Sequence, residues 1–232
     1  MTTTFIVIAI SLGALVGALL YWLLIITEGT YLGTSAVVLL YDWTAGRYDR
    51  IKDLKYVNEL AFVALPIAGS LYKVPNPRLL DVATGTGRVP LALLRSMTQE
   101  INLVGADRSR GMLDEARMAT DDHREDEVTW ICADAMSLPF GDSSFDAVSC
   151  LESLEFVVDP RRALREMIRV VKPGGVLWLS NRVGWEARFF PWRLAGRGRL
   201  EAVLKELGLL DVETRRWQVH YDLVSARRPR EL

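Results

Sequence analysis

The stretch Leu79-Leu80-Asp81-Val82-Ala83-Thr84-Gly85-Thr86-Gly87 constrains this chain more than any other. An apolar run closes on an acid and then turns through two glycines into a helical pattern that starts near Arg88. Glycines at such a turn remove the Cβ atoms that would block a ligand, so backbone N–H groups can approach it closely. A second apolar run, Leu103-Val104-Gly105-Ala106, closes on Asp107, twenty residues after Gly87. An acid at that strand tip can accept both hydroxyls of a ribose. Strand, glycine turn, helix, strand and acid together make a nucleoside-binding layout.

Charge narrows the choice of nucleoside. Dinucleotide sites use G-x-G-x-x-G, but here Pro90 stands where the third glycine would be. Asp81 also sets a negative charge where a pyrophosphate would sit, which disfavours a nicotinamide-dependent oxidoreductase. A ligand with a positive centre, such as the ammonium and sulfonium of S-adenosylmethionine, suits that position better.

The rest of the domain alternates. Strand patterns at Arg78–Val82, Asn102–Ala106, Val128–Ala133, Ala147–Cys150 and Val176–Asn181 precede helical patterns at Val89–Ser96, Gly111–Thr120, Pro160–Val171 and Leu200–Leu207. Two further strands are expected near Val212–Trp217 and His220–Ala226. This order predicts an α/β fold with a doubly wound, mainly parallel seven-stranded sheet. Ligands of such sheets bind at the carboxyl ends of the strands, where the order reverses. Asp81, Asp107, Asp134 and Cys150 all fall at predicted strand ends.

The N-terminal segment has a different character. Thr2 to Thr27 carries no charge, and Phe5 to Ile26 is almost wholly apolar. About 20 such residues cross a bilayer core of ~30 Å. A cleaved signal peptide is the competing reading, but the basic leader and a small-x-small site before Glu28 are missing. The expectation is one transmembrane helix over residues 1–28, a helical connector over 29–77 and the catalytic-type domain over 78–232. Arg47, Arg50, Lys52 and Lys55 follow the span, which favours a single-pass membrane protein with its domain in the cytoplasm. Gly13 and Gly17 form a small-xxx-small pair that offers a route to a homodimer through the anchor. The shorter apolar run Thr30–Leu40 cannot span, and is read as a join lying along the bilayer. Helical spacing resumes over Ile51–Ala68.

Further motifs follow in order: Cys132-Ala133-Asp134-Ala135-Met136-Ser137-Leu138-Pro139-Phe140, Asp142-Ser143-Ser144-Phe145-Asp146-Ala147-Val148, Leu164-Arg165-Glu166 and Lys172-Pro173-Gly174-Gly175. Tyr41-Asp42-Trp43-Thr44-Ala45 and Tyr48-Asp49 stand upstream. With the glycine turn, this series resembles the class I S-adenosylmethionine-dependent methyltransferases, in particular the ubiquinone/menaquinone-biosynthesis branch, over roughly residues 41–226. The resemblance implies S-adenosyl-L-methionine as cofactor. It implies contacts to that cofactor from Tyr41, Tyr48, Asp81, Ala83, Thr84, Gly85, Thr86, Gly87, Asp107, Arg108, Met112, Asp134, Ala135, Met136 and Cys150. Asp81 would fix the ammonium directly or through water, Asp107 the ribose, Met112 one face of the adenine and Asp134 its amino group. Ala83 stands where the family usually has glycine. The paired Tyr-Asp segment would fold over the cofactor.

Methyl transfer needs a general base only for an acceptor that arrives protonated. Glu152 is the catalytic candidate, with Glu155 and His220 behind it; His123 reads as a solvated loop residue. The acceptor is expected to be a small molecule or lipid, such as a quinone precursor. The arginine- and aromatic-rich stretch Arg182 to Arg199 would select it or meet lipid headgroups. No metal site is expected, since neither Cys132 nor Cys150 has partners at ligand spacing; both read as buried small residues. A net charge of −1 gives no case for nucleic acid. The alternative is a non-catalytic scaffold that keeps the fold.

Overall fold

In the computed structural model, strands β1 (Arg78–Val82), β2 (Asn102–Asp107), β3 (Val128–Cys132), β4 (Phe145–Cys150), β5 (Val171–Arg182), β6 (Leu210–Arg216) and β7 (Tyr221–Arg227) form one sheet. The order is β3-β2-β1-β4-β5-β7-β6. Pairs among β1 to β5 are parallel, and β7 runs antiparallel to both β5 and β6. The structure describes residues 2–52, 56–97, 100–120, 127–190 and 194–230. Helices are α1 (Thr2–Tyr21), α2 (Thr34–Thr44), α3 (Tyr48–Ile51), α4 (Tyr56–Glu59), α5 (Leu65–Leu71), α6 (Arg88–Ser96), α7 (Arg110–Ala119), α8 (Pro160–Val170) and α9 (Arg199–Glu206).

Strand side chains alternate between faces, and this sheet is covered on both. Leu80, Val82, Val148 and Leu177 pack with Leu164 and Met167 of α8 and Leu204 of α9. Leu79, Leu103, Ala147 and Trp178 pack with Ile67 of α5 and Leu93 of α6 on the other side. Adjacent residues Leu79 and Leu80 thus feed opposite cores, and both are fully buried. Truncating such a side chain to alanine typically costs about 2–5 kcal/mol. The strand order reverses between β1 and β4, so the crevice beyond their carboxyl ends is the place for a ligand.

The span Thr3–Ile26 is long and apolar enough to cross a membrane, and its most apolar stretch of 18 residues has none buried. A π-helical turn, Trp22–Ile26, and a short 3-10 turn, Thr30–Leu32, connect it to α2. The connection is packed: the Trp22 ring lies 5.0 Å from that of Tyr31 and 6.0 Å from that of Phe189.

The structure departs from the sequence expectations in three places. β5 begins at Val171, so Lys172-Pro173-Gly174-Gly175 lies inside the strand. The register jumps between Phe145↔Val171 and Ala147↔Val176, and that irregularity absorbs the extra residues. Of the helix expected over Ile51–Ala68, α4, a π-helical turn at Leu60–Ala64 and α5 run on without a gap from Tyr56 to Leu71, while α3 ends at Ile51. Pro66 at the start of α5 lacks the N–H that a regular α-helix would use. Cys132 is exposed, because β3 is an edge strand. Leu54, Lys55, His123 and Pro191-Trp192-Arg193 lie outside the described residues.

Candidate functional site

At the carboxyl ends of β1 to β4 lies a cavity of about 800 Å³, part of it open to solvent. Its floor comes from the strand tips: Ala83, Gly85, Asp107, Arg108, Ala133, Asp134 and Ala135. Thr34, Val37, Val38 and Tyr41 of α2, with Tyr48 of α3, roof it. Leu151, Glu152, Ser153, Phe156, Val157 and Val158, which follow β4, form the third wall. A largely apolar lining with a few convergent polar groups is usual for a small-molecule site.

The turn after β1 is built from left-handed residues, with φ of 55° at Ala83, 56° at Gly85 and 84° at Gly87. The two glycines serve different ends. A Cβ at Gly85 would meet open space, so this residue faces the cavity. A Cβ at Gly87 would come within 2.6 Å of the Trp130 indole, so this residue makes room for a β3 side chain. Asp81 lies beneath the turn, 2% exposed, where it accepts hydrogen bonds from Thr84 Oγ1 at 2.7 Å and Ser149 Oγ at 2.6 Å. Burial pushes its carboxyl up to about 7, against the lowering pull of those two hydroxyls. A cation above the turn would return it to the ionised form.

Asp107 is held at the tip of β2. Its Oδ2 accepts from Gly85 N at 2.8 Å and its Oδ1 from Ser109 N at 2.8 Å. Burial raises this carboxyl as well, while the backbone N–H groups oppose the shift. Each oxygen retains a lone pair for a hydroxyl donor inside the cavity. Asp134 accepts from Arg108 Nη1 at 3.1 Å and from Met136 N at 2.9 Å, which ties the tips of β2 and β3 together. Ser109 caps α7 by accepting from Met112 N at 3.1 Å, and its own hydroxyl donates to Asp42 Oδ1 at 2.5 Å. Asp42 therefore clips α2 onto the start of α7.

Glu152 leaves β4 in the left-handed region, with φ of 51°. Its carboxylate accepts from Arg88 Nη1 at 2.6 Å and from Gln218 Nε2 at 2.9 Å, and Lys52 Nζ stands 3.7 Å away. Burial works to raise its pKa, but Arg88 and Lys52 prevail and hold the carboxyl below its ordinary range. A carboxylate so paired is a weak proton acceptor. Arg88 also donates to Glu59, and its guanidinium lies 4.7 Å from the centre of the Trp217 ring.

A second polar cluster closes the site behind α2. The Tyr41 hydroxyl donates to Glu28 Oε2 at 2.7 Å, and its ring lies 5.8 Å from that of Tyr48. Arg182 stands 3.7 Å from Glu28, 3.7 Å from Glu155 and 3.5 Å from Glu186, its side chain only 9% exposed. The Tyr221 hydroxyl donates to Glu155, and His220 Nδ1 lies 2.9 Å from Glu186.

Of the residues singled out from sequence, Tyr41, Tyr48, Ala83, Gly85, Asp107, Arg108, Asp134, Ala135, Met136 and Glu152 line the cavity. Asp81, Thr84, Thr86, Gly87, Met112 and Cys150 do not line it. Thr86 donates to Asp49 at 2.6 Å, and Met112 is buried in α7. The Cys150 thiol sits 2.9 Å from Ser153 Oγ, with its pKa pushed up to about 12 by burial. Sequence reasoning did not assign Ser109, Ser149, Arg88 or Glu28 to the site. Ser109 carried a usable signal as a serine just before a helical run. The others meet the site only through tertiary contacts.

Residues 80–179 match a family model described as a methyltransferase domain. Over that stretch the chain is similar to methyltransferase domains. Its sheet order and parallel core are the doubly wound arrangement described above, and solved structures agree: a 4+2 cyclase superposes with a TM-score of 0.70 at 22% identity, covering 86% of this chain and 98% of that one. Among curated proteins, the chain is similar to the demethylmenaquinone methyltransferase of Clavibacter sepedonicus. The two are 39% identical over 141 residues, which is 60% of this chain and 55% of that protein. A ubiquinone/menaquinone biosynthesis C-methyltransferase from Ruegeria is 33% identical over 139 residues, 60% of this chain and 55% of the relative. The chain spans just over half the length of these relatives.

Proposed function

We propose that this chain is an S-adenosylmethionine-dependent methyltransferase, held on a membrane by α1 with its domain in the cytoplasm. The acceptor is a quinone-type ring, methylated at carbon. One observation carries the cofactor reading: the half-buried Asp107 carboxylate, fixed by Gly85 N–H and Ser109 N–H, beside the open space at Gly85. That pairing suits a ribose at the β2 tip and an amino-acid end passing over the turn. Asp81 below the turn supplies negative charge for a cationic donor. The names of the Clavibacter and Ruegeria relatives support the acceptor class.

S-adenosylmethionine supplies a methyl carbon already activated by a positive sulfur. The work left to this chain is alignment, since an acceptor held in line at about 3–3.5 Å gains much of the available rate enhancement. The Tyr41 and Tyr48 rings offer π-faces to a cation in the cavity. Val37, Val38, Leu151, Phe156 and Val157 exclude water. Glu152, which lines the cavity, is neutralised from behind by Arg88 and Lys52.

The test is incubation of the full-length chain with methyl-labelled S-adenosylmethionine and a demethylated quinone in lipid vesicles. A ring-methylated product, absent with Gly85→Val, supports the reading. Binding of the donor with no labelled product from quinone or membrane lipid would return the chain to the scaffold alternative.

A further inference from the structure

The roof helix α2 is apolar on two faces. Thr34, Val37, Val38 and Tyr41, at the i, i+3, i+4, i+7 spacing of one helix face, line the cavity. Leu39 and Trp43 point the opposite way and are 69% and 81% exposed, with Leu32 just ahead at 52%. The single charged residue of α2, Asp42, is exposed at the flank of this face and is held towards α7 by hydrogen bonds from Ser109 Oγ and Gly111 N. A water-facing helix surface of this composition is unusual for a soluble domain.

The occupant of that face follows from its continuity with α1. Trp22, in the last turn of the apolar span, stacks against Tyr31 just before α2, and Trp185, 58% exposed, lies 5.6 Å ring to ring from Phe189 in the same cluster. Arg182 and Tyr41 grip Glu28 between α1 and α2. The joint between span and domain is thus a packed one, and α2 is held close to where α1 leaves the bilayer. We infer that α2 is a membrane-surface helix: Leu39 and Trp43 sit among lipid headgroups and upper acyl chains, and Thr34, Val37 and Val38 face the cavity from the other side. The helix then forms a one-helix-thick wall between bilayer and cavity, by which a lipid-borne acceptor enters without crossing water. Aromatic and aliphatic side chains on an interfacial helix bind in this way. The inference rests on the reading that α1 spans the membrane.

Nitroxide depth measurements on the full-length chain in phosphatidylcholine/phosphatidylglycerol vesicles test it. Labels at Leu39→Cys and Trp43→Cys, in a Cys132→Ser background, are compared with Leu15→Cys on α1 and Asp114→Cys on α7. Retained binding of S-adenosylhomocysteine checks each fold. The expected result is severalfold more collision with oxygen than with a water-soluble nickel chelate at residues 39 and 43, as at residue 15, and the reverse at residue 114. Lipid depth at residue 15 with water exposure at 39 and 43 overturns the inference and leaves the anchor standing. Dipolar broadening between labels at 39 or 43 identifies a second copy of the chain on this face, which also overturns it. Water exposure at residue 15 removes the anchor reading itself.

Discussion

The Arg88 guanidinium donates to the Glu152 carboxylate at 2.6 Å, joining the helix after the glycine turn to the far wall of the cavity. Both side chains are buried, at 12% and 6% exposure. Removing one partner of such a pair leaves an uncompensated charge and costs about 3–5 kcal/mol. Glu152→Gln is therefore expected to lower the thermal midpoint by several degrees at pH 7. The pH dependence has a definite sign. The folded pKa of Glu152 lies below its ordinary value, so its stabilisation is present above about 4.5 and is lost as pH falls through the folded value. Melting curves of wild type and variant should converge in acid. A constant gap at every pH would mean that the pair contributes through packing alone.

The glycine turn separates binding from stability. Alanine at Gly85 meets open space but must adopt φ of 56°, a strain of about 1–2 kcal/mol, and it intrudes on the cavity floor. Donor binding should weaken at least tenfold while the domain still folds. Gly87→Ala faces the same strain and a Trp130 contact at 2.6 Å, so its loss of stability should be the larger. Ala83→Gly relieves a left-handed alanine and is expected to raise stability by up to about 1 kcal/mol. Chemical denaturation with parallel calorimetry ranks all three variants.

Asp81 titrates near neutrality because it is buried. A cationic donor favours the carboxylate, so binding should release a proton and tighten as pH rises towards about 7, by up to about tenfold per unit, then level off. The demethylated product keeps the ammonium and should show a dependence of the same sign. Titrations in buffers of different ionisation enthalpy measure the proton count directly. Binding of both ligands without proton release would remove Asp81 as the partner of the ammonium.

Arg182 is the counter-charge shared by Glu28, Glu155 and Glu186, and its Nε and Nη1 have no hydrogen-bond partner among the described residues. Arg182→Met keeps the packing against the Phe190 and Tyr221 rings but removes the charge. The expected cost is about 3 kcal/mol, together with faster proteolysis between α1 and α2 as Glu28 loses its hold. Unchanged cleavage there would mean that Tyr41 alone secures the joint.

The strands and their flanking helices were legible because local pattern dictates them. The apolar run Leu79-Leu80 reads as a strand buried on both faces, and Asp107 closes its apolar run where β2 ends. The π-helical turn at Leu60–Ala64 was not read, since nothing in the apolar spacing separates an i+5 turn from an i+4 one and only Pro66, which lacks an N–H, marks the place. Cys132 read as buried because edge position depends on strand order, which no local pattern encodes. The same limit applies to the site. Asp107, Gly85 and the two tyrosines stand in motifs, whereas the links Glu28–Arg182 and Arg88–Glu152 join distant segments whose spacing carries no signal. The role of Gly87 is a case of shared appearance: both glycines look like ligand contacts until Trp130 is placed beside one of them.

The most direct measurement is isothermal calorimetry of the full-length chain in nanodiscs, titrated with S-adenosylmethionine and, separately, with NAD. Saturable heat with the methyl donor, abolished by Gly85→Val and absent with NAD, is the expected result. Uptake of NAD with no response to S-adenosylmethionine or S-adenosylhomocysteine would contradict the assignment of the cavity.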